Sequence, residues 1–322
     1  MSGSGPAGLS ERLRVRLPRL RVPRPAGFPW SAPTWPGSVP MPPPERHTGV
    51  DYDTEWSRRY GVRLARAVLV ESLARPFVHA VVPPTVEGAD RLEELEGPLV
   101  FAANHNSHLD TALFLSALPR RYRHRLVVAA AADYFFDNRW KAALSSFALA
   151  AVPIERTRIS RRSADLPAEL LADGWSVLIY PEGGRSPDGW AQPFQGGAAY
   201  LAIKTGAPIV PVHISGTDVA LPRGARRLQP TRTTVTFGRA VLPEPGENAR
   251  RVAARLEAEV AALADERRTD WWQARRRAAS GDTPPLSGPE VGGWRRSWAR
   301  PAPKGPLRVP EDRSAWARRN RY

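Results

Sequence analysis

The densest set of chemically active side chains lies in residues 102–114, which read AANHNSHLDTALF. His105 stands five residues before Asp110, at the point where one apolar run ends and before the next begins. With a turn between them, the imidazole can reach the carboxylate, which would fix its tautomer and stabilise the charge gained on accepting a proton. The spacing predicts a general base with an orienting acid, and His108 stays open as an alternative base.

The same residues also carry a local structural signal. Ser107 followed three residues later by Asp110 fits the capping box that begins a helix, and an apolar run follows it. Capping explains Ser107 and Asp110 but gives no role to His105. His105 is therefore the residue of this stretch that indicates a catalytic role.

A second cluster of polar residues follows another apolar run, in WSVLIYPEGGRSPDG, residues 175–189. Gly183 and Gly184 allow backbone N–H groups to converge on an anion, and Arg185 offers a planar fork to phosphate or carboxylate. A plain turn with exposed charges is the alternative interpretation of Glu182 and its neighbours. The stretch VPIERTR places Arg156 after a further short strand.

Short β-rich runs alternate with helical patterns of about ten residues between residue 98 and residue 268. This alternation predicts an α/β layered domain with a largely parallel sheet flanked by helices. Catalytic and ligand-binding residues in such sheets lie in loops at the strand ends. Both polar clusters are expected at one edge of the sheet.

Basic residues are unevenly spread along the chain. The sequence has 47 Lys and Arg against 32 Asp and Glu, and most of the excess of +15 lies in the two ends, which are also rich in proline, glycine and serine. Such segments bury too little apolar surface to offset the entropy of ordering. We predict a disordered arm over 1–48, an amphipathic helical segment over 49–84, a globular domain over 85–265 and a mostly disordered basic tail over 266–322.

The helical segment and the tail both suggest contact with a surface. Residues 52–82 predict a helix interrupted near Pro76, with apolar and aromatic side chains on one face and arginines over much of the rest. Such a helix can lie in a bilayer interface or pack on the domain with its basic face in water. The tail mixes tryptophan with arginine, which suits an anionic membrane or single-stranded nucleic acid, and a disordered tail without a partner is the third interpretation.

Other classes are excluded by composition. The sequence has no cysteine, which excludes disulfides, thiolate metal sites and a cysteine nucleophile. No uninterrupted apolar run reaches the roughly 18 residues of a membrane-spanning helix. The Arg-rich beginning is followed by prolines, unlike a signal peptide.

Four stretches together resemble the glycerolipid acyltransferase family, which includes the 1-acylglycerol-3-phosphate acyltransferases. NHNSHLD resembles its His-x4-Asp motif, VPIERTR its arginine block, YPEGGRS its Phe-Pro-Glu-Gly-Thr-Arg-Ser block, and PIVPVHISG its proline block. They occur in the family's order over roughly residues 85–245. The chain departs from the pattern at Gly184, where threonine is usual, and at Gln195, where a basic residue is common.

The resemblance implies roles for individual residues. His105 would be the general base and Asp110 its partner, within an acyltransferase catalytic domain over 85–265. Pro211 would lie in an apolar wall near the acyl chain. The polar head of the acceptor would be bound by five residues: Arg156, Glu182, Gly183, Gly184 and Arg185.

The implied activity is transfer of a fatty acyl chain from acyl-CoA or acyl-carrier protein to the hydroxyl of a lysophospholipid such as 1-acylglycerol-3-phosphate. Neither a cofactor nor a metal is expected. A different lipid or glycolipid acceptor is one alternative, and a non-catalytic membrane- or nucleic-acid-binding protein is another. The expected partners are the acceptor, the acyl donor and an anionic membrane rather than nucleic acid. The expected location is the cytoplasm, on the inner face of the cell membrane.

Overall fold

Most of the strands are short and apolar, as a sheet covered by helices on both faces requires. The computed structural model describes residues 49–155, 164–225, 227–291, 295–296 and 299. Seven strands lie within these described residues: β1 (Pro84–Glu87), β2 (Val100–Ala103), β3 (Leu126–Ala131), β4 (Ala151–Ile154), β5 (Ser176–Ile179), β6 (Ile209–Ser215) and β7 (Thr233–Phe237).

The strands form one sheet in the order β1-β7-β6-β2-β5-β3-β4. All neighbouring pairs are parallel except β6 and β7, which are antiparallel. The predicted α/β fold with a largely parallel sheet is therefore confirmed. Strand β2 lies at the centre between β5 and β6, and its four residues are wholly buried.

Helices connect and cover the strands. The described α-helices are α1 (Tyr60–Leu69), α2 (Arg75–Val81), α3 (Leu109–Ala117), α4 (Arg120–Arg123), α5 (Ala132–Phe135), α6 (Arg139–Leu149), α7 (Asp165–Ala172), α8 (Gly197–Thr205), α9 (Thr217–Ala220), α10 (Ala249–Arg268) and α11 (Trp271–Ser280).

Two apolar clusters lie on opposite faces of the sheet. One joins Val100 and Val177 to side chains of α7, α8 and α10, and the other joins Phe101 and Leu178 to α2 and α3. In the second cluster the ring of Phe101 meets that of Phe114 edge to face, with centroids 5.2 Å apart. Because consecutive residues of β2 and β5 alternate between the clusters, both strands are held from both sides.

The N-terminal segment is helical as predicted, but its orientation differs from one of the two interpretations. A π turn over Val70–Ala74 joins α1 to α2, and the helix continues through Pro76, the second residue of α2, so the predicted interruption near Pro76 is wrong. The Arg66 guanidinium points inward and donates to the Phe147 carbonyl oxygen at 2.7 Å. Leu64 and Val68 point outward. The interpretation in which the apolar face packs on the domain and the basic face lies in water is therefore wrong.

The expectation of a mostly disordered tail from residue 266 is wrong for its first part. Helix α10 extends to Arg268, and α11 begins after Asp270, whose carboxylate accepts from the Gln273 N–H at 2.9 Å. This cap and the packing of α11 on α10 order a segment whose composition alone suggests disorder. The arm predicted over 1–48 lies outside the described residues, as do residues 300–322.

None of the described helices combines the length and the apolar character that crossing a bilayer requires.

Candidate active site

Three strand ends meet where the two polar clusters lie. Strands β2, β5 and β6 are parallel, so their carboxyl ends open onto the same edge of the sheet. Asn104, directly after β2, donates from its amide to the Ile214 carbonyl oxygen at 2.9 Å and accepts from the Ile214 N–H at 2.7 Å. This buried pair of bonds extends the pairing of β2 with β6 by a side chain and fixes the position of the next residue, His105.

His105 and Asp110 form the predicted pair. The His105 Nδ1 lies 2.9 Å from Asp110 Oδ2, and the same oxygen accepts the Asn106 and Ser107 N–H groups at 2.7 and 2.8 Å. The Asp110 side chain is fully buried, whereas His105 keeps a small exposed fraction. An ionised carboxylate only accepts, so Nδ1 carries the ring proton and Nε2 is left as the basic nitrogen.

The predicted helix start is built from the same turn. The Ser107 N–H donates to the Asp110 carboxylate, which is one half of a capping box. The other half is altered, because the Asp110 N–H bonds the Ser107 carbonyl oxygen and the Ser107 hydroxyl donates to the Leu221 carbonyl oxygen at 2.8 Å. Asp110 therefore serves both the start of α3 and the imidazole.

Tyr180, the residue after β5, supports the imidazole from one side. Its ring is stacked on that of His105 with centroids 4.0 Å apart and an interplanar angle of 19°. Its hydroxyl lies 2.9 Å from the Thr111 hydroxyl. Burial, with the nearby Asp110 charge, raises the pKa of Tyr180 well above its ordinary value, so the phenol stays neutral.

His108 has a different environment from His105. Its Nε2 lies 3.4 Å from the Tyr134 hydroxyl, and its bonding includes no carboxylate of the described part of the chain. Burial, followed by the charges of Arg185 and His105, lowers the pKa of His108. Because it lacks an orienting acid, the geometry favours His105 over His108 as the base.

Glu182 is placed differently from its predicted contact with the acceptor. Both carboxylate oxygens are already used: one accepts the His105 N–H at 2.7 Å and the other the Gln192 N–H at 2.8 Å. The side chain is 3% exposed. Glu182 therefore ties the loop after β2 to the loop after β5, and we revise its predicted role from acceptor binding to holding the site together.

The glycines and Arg185 lie in the loop after β5. Gly183 has a φ of 70°, and its N–H closes a turn to the Tyr180 carbonyl oxygen. The Arg185 guanidinium makes no hydrogen bond to a described residue, and the next residue, Ser186, donates its N–H to the His105 carbonyl oxygen at 2.9 Å. Gly184 and Arg185 are thus held beside His105. Arg156 lies outside the described residues.

Two further features adjoin this loop. The Gln195 amide lies over Gly183, where an added Cβ would come within 2.7 Å of Gln195 Nε2. An apolar cavity of about 90 Å³ lies alongside, lined by Ile154, Ile179, Tyr200 and others. Pro211 does not line it: its ring packs against Gly238, and its contact with an acyl chain stays a prediction.

Sequence reasoning missed Asn104 and Tyr180. Both carry a usable signal, since each is the first polar side chain after a buried strand that leads into a motif. The described residues bring together no group of three or more His, Asp or Glu side chains that could hold a metal ion.

Comparisons with known proteins agree with the motifs. Residues 83–215 match the family model described as Acyltransferase. Three similar curated proteins are named 1-acyl-sn-glycerol-3-phosphate acyltransferases. The one from Brassica napus is 32% identical over 142 residues, which are 44% of this chain and 39% of the relative, and the one from Chlamydomonas reinhardtii is 30% identical over 166 residues, which are 49% of this chain and 47% of the relative. The beta form from Homo sapiens is 35% identical over 133 residues, which are 38% of this chain and 42% of the relative. The chain thus spans less than half the length of each of these relatives.

A solved structure shares the fold. The crystal structure of the 1-acyl-sn-glycerophosphate (LPA) acyltransferase PlsC from Thermotoga maritima has a TM-score of 0.51 and 23% identity, covering 68% of this chain and 84% of that one. The described domain therefore has the same α/β fold as that structure. Residues 83–215 thus resemble the Acyltransferase family, as the motifs in this part of the chain predict.

Proposed function

We propose that this chain is an O-acyltransferase that moves a fatty acyl chain from acyl-CoA or acyl-carrier protein to the hydroxyl of a lysophospholipid such as 1-acylglycerol-3-phosphate. The observation that carries the proposal is the His105–Asp110 pair, at 2.9 Å, beside a loop that presents Arg185. The names of the relatives support the acceptor class.

In the proposed step, His105 Nε2 takes the hydroxyl proton of the acceptor as the oxygen attacks the thioester carbonyl carbon. The C–O bond forms, the C–S bond breaks, and the imidazolium returns the proton to the leaving thiolate. Asp110 stabilises the imidazolium, and general-base help of this kind contributes about 10²–10⁴-fold. The two substrates supply every reacting atom, so we propose no cofactor.

The acceptor head is proposed to lie against Arg185 and Gly184. A guanidinium can form two parallel hydrogen bonds to a phosphate, which suits a phosphate-bearing head. Gln195, which lies over Gly183, is neutral and can donate to and accept from a hydroxyl. That residue favours the second candidate, an acceptor with a sugar or other neutral polar head.

The proposed place of action is the inner face of the cell membrane, reached from the cytoplasm. We define the apolar surface as Tyr60, Leu64, Val68, Trp140 and Leu144, all exposed on α1 and on α6 beside it. Trp140 is 84% exposed, and the exposed cations Arg139 and Lys141 stand on either side of it. Apolar side chains next to cations suit an anionic bilayer, in which the acceptor resides.

The membrane proposal can be tested with the double variant Trp140→Ser/Leu144→Ser. Both side chains are exposed, so their loss should cost little folding stability. We expect roughly 10- to 100-fold weaker binding to phosphatidylcholine–phosphatidylglycerol vesicles, from the lost burial of two large apolar groups. Leu242→Ser, which changes a similarly exposed leucine outside the apolar surface, is the control. Equal binding by the double variant and wild type would contradict the proposal.

The catalytic proposal can be tested with purified protein, a labelled acyl-CoA and two acceptors, 1-acylglycerol-3-phosphate and 1-acylglycerol, with products identified by mass spectrometry. We expect His105→Ala to reduce turnover at least 100-fold with an unchanged circular dichroism spectrum, and His108→Ala to stay within tenfold of wild type. The reverse pattern would make His108 the base. No product from either acceptor would favour a non-catalytic binding protein.

A further inference from the structure

A segment near the end of the described chain returns to the loop that carries Arg185. We define the C-terminal strap as residues 285–291 and 295–296, and the site loop as residues 185–192. The Ala191 N–H donates to the Leu286 carbonyl oxygen at 3.1 Å, and Trp190 Nε1 donates to the Arg296 carbonyl oxygen at 2.9 Å. About a hundred residues of chain separate the two segments, so this contact is built by the tertiary fold.

Arg296 is the centre of the contact. Its Nε donates to Asp188 Oδ2 of the site loop at 2.9 Å. Its two terminal nitrogens donate to the carbonyl oxygens of Pro289 and Ser287 at 3.0 and 2.9 Å. One guanidinium therefore shapes the strap and attaches it to the loop at the same time, which uses the rigid fork of arginine rather than its charge alone.

Trp190 and Gly288 add a close fit to these bonds. The Trp190 side chain is 7% exposed. Gly288 has a φ of 70°, and a Cβ added to it would come within 2.3 Å of the Trp190 ring. The backbone of the strap lies directly on the indole, so only glycine fits at this position.

The site loop passes this attachment on to the active site. The Ser186 hydroxyl donates to the Trp190 carbonyl oxygen at 2.7 Å and accepts the Gly189 N–H at 2.6 Å. The Ser186 N–H bonds the His105 carbonyl oxygen. Arg185 is the residue directly before Ser186, so the strap, the loop and the acceptor-binding arginine form one connected set of contacts.

We propose that Arg296 is a positioning residue, which holds the site loop through Asp188 and Trp190 so that Arg185 faces the head of the acceptor. The inference rests on the proposed function for its kinetic consequence, and on the contacts alone for its structural one. Arg296 touches neither the imidazole nor Asp110. Its loss should therefore affect acceptor binding and leave the base intact.

The test compares full-length wild type with Arg296→Gln by hydrogen–deuterium exchange and by kinetics. We expect amides of residues 186–191 to exchange about 5- to 30-fold faster in the variant, the factor expected when a set of hydrogen bonds from one charged group is lost. With 1-acylglycerol-3-phosphate as acceptor, its KM should rise by a similar factor, while the KM for acyl-CoA stays within twofold. Arg296→Lys, which keeps one bond to Asp188, should give intermediate values.

Arg255→Gln is the matched control. Arg255 also combines ion pairs, to Glu244 and Glu247, with a bond to the Leu242 carbonyl oxygen, and these contacts lie outside the site loop and the strap. Arg255→Gln should change neither the hydrogen–deuterium exchange of the site loop nor the KM for the acceptor.

Unchanged exchange in Arg296→Gln would overturn the inference, and so would faster exchange with an unchanged acceptor KM. If wild type turns over no acceptor, the proposed function fails, and the exchange comparison still decides whether Arg296 holds the loop.

Discussion

Glu182 makes the stability of this protein depend on pH in a predictable direction. Its buried carboxylate joins the loops after β2 and β5 through the backbone N–H groups of His105 and Gln192. The pKa of Glu182 is raised from 4.5 to about 7, chiefly by burial; the two hydrogen bonds oppose this rise, and the charges of Asp110 and Glu257 add to it. The informative change is Glu182→Gln, which keeps the shape and removes the titration.

The sign follows from the raised pKa. Folded Glu182 holds its proton up to about pH 7, whereas in the unfolded chain the group loses it near pH 4.5. Its contribution to stability is complete below the unfolded pKa and is lost as pH rises through the folded pKa. One pKa unit corresponds to about 1.36 kcal/mol. Between pH 5 and pH 8 the free energy of unfolding should therefore fall by about 2–3 kcal/mol through this group.

The Glu182→Gln substitution itself lowers the free energy of unfolding. Its amide NH₂ must face one of the two N–H donors, which leaves that donor unpaired and costs about 1–3 kcal/mol. We therefore expect Glu182→Gln to be less stable than wild type at pH 5 and to approach or exceed it at pH 8.

The measurement is urea unfolding of both proteins at several pH values from 5 to 8. The difference between them isolates Glu182, because all other titrating groups are shared. A constant difference between wild type and Glu182→Gln over the whole range would refute the assignment of a raised pKa to this group.

Three more predictions concern the same region. Gln195→Lys should lower the KM for a phosphate-bearing acceptor several-fold at low salt and leave a neutral acceptor unaffected; equal effects on both would contradict a cation-responsive site. Gly183→Ala should cost about 1–2 kcal/mol in urea unfolding, because its φ is 70° and Gln195 crowds the new Cβ, and Gln195→Ala should restore part of the loss. Asn104→Ala should cost about 2–4 kcal/mol by leaving two buried backbone groups of Ile214 unpaired, and a loss under 1 kcal/mol would argue against the bridge.

Local patterns predicted most of the fold. The apolar runs of β2 and β5 and the helical pattern of α3 need only neighbouring residues, and the five-residue spacing of His105 and Asp110 predicted their contact. Strand β1 was missed because only its pairing with β7, about 150 residues later, makes four ordinary residues a strand.

Contacts between distant segments explain the remaining differences between the sequence predictions and the structure. A buried carboxylate next to glycines can bind a ligand or accept backbone N–H groups, and only the meeting of two loops decides this for Glu182. The pattern of α1 shows which face is apolar but not where that face points. The bond from Arg66 to the Phe147 carbonyl oxygen, 81 residues away, turns it outward.

The convergence of three N–H donors on one oxygen of Asp110 has a practical consequence for obtaining substrate complexes. Replacing Asp110 would remove the carboxylate that orients the imidazole and also the acceptor that holds the turn before α3. A loss of activity in such a variant would therefore have two causes. The His105 side chain is bonded to Asp110 alone among the described residues. Variants at His105 are therefore the better choice for trapping a complex with the two proposed substrates.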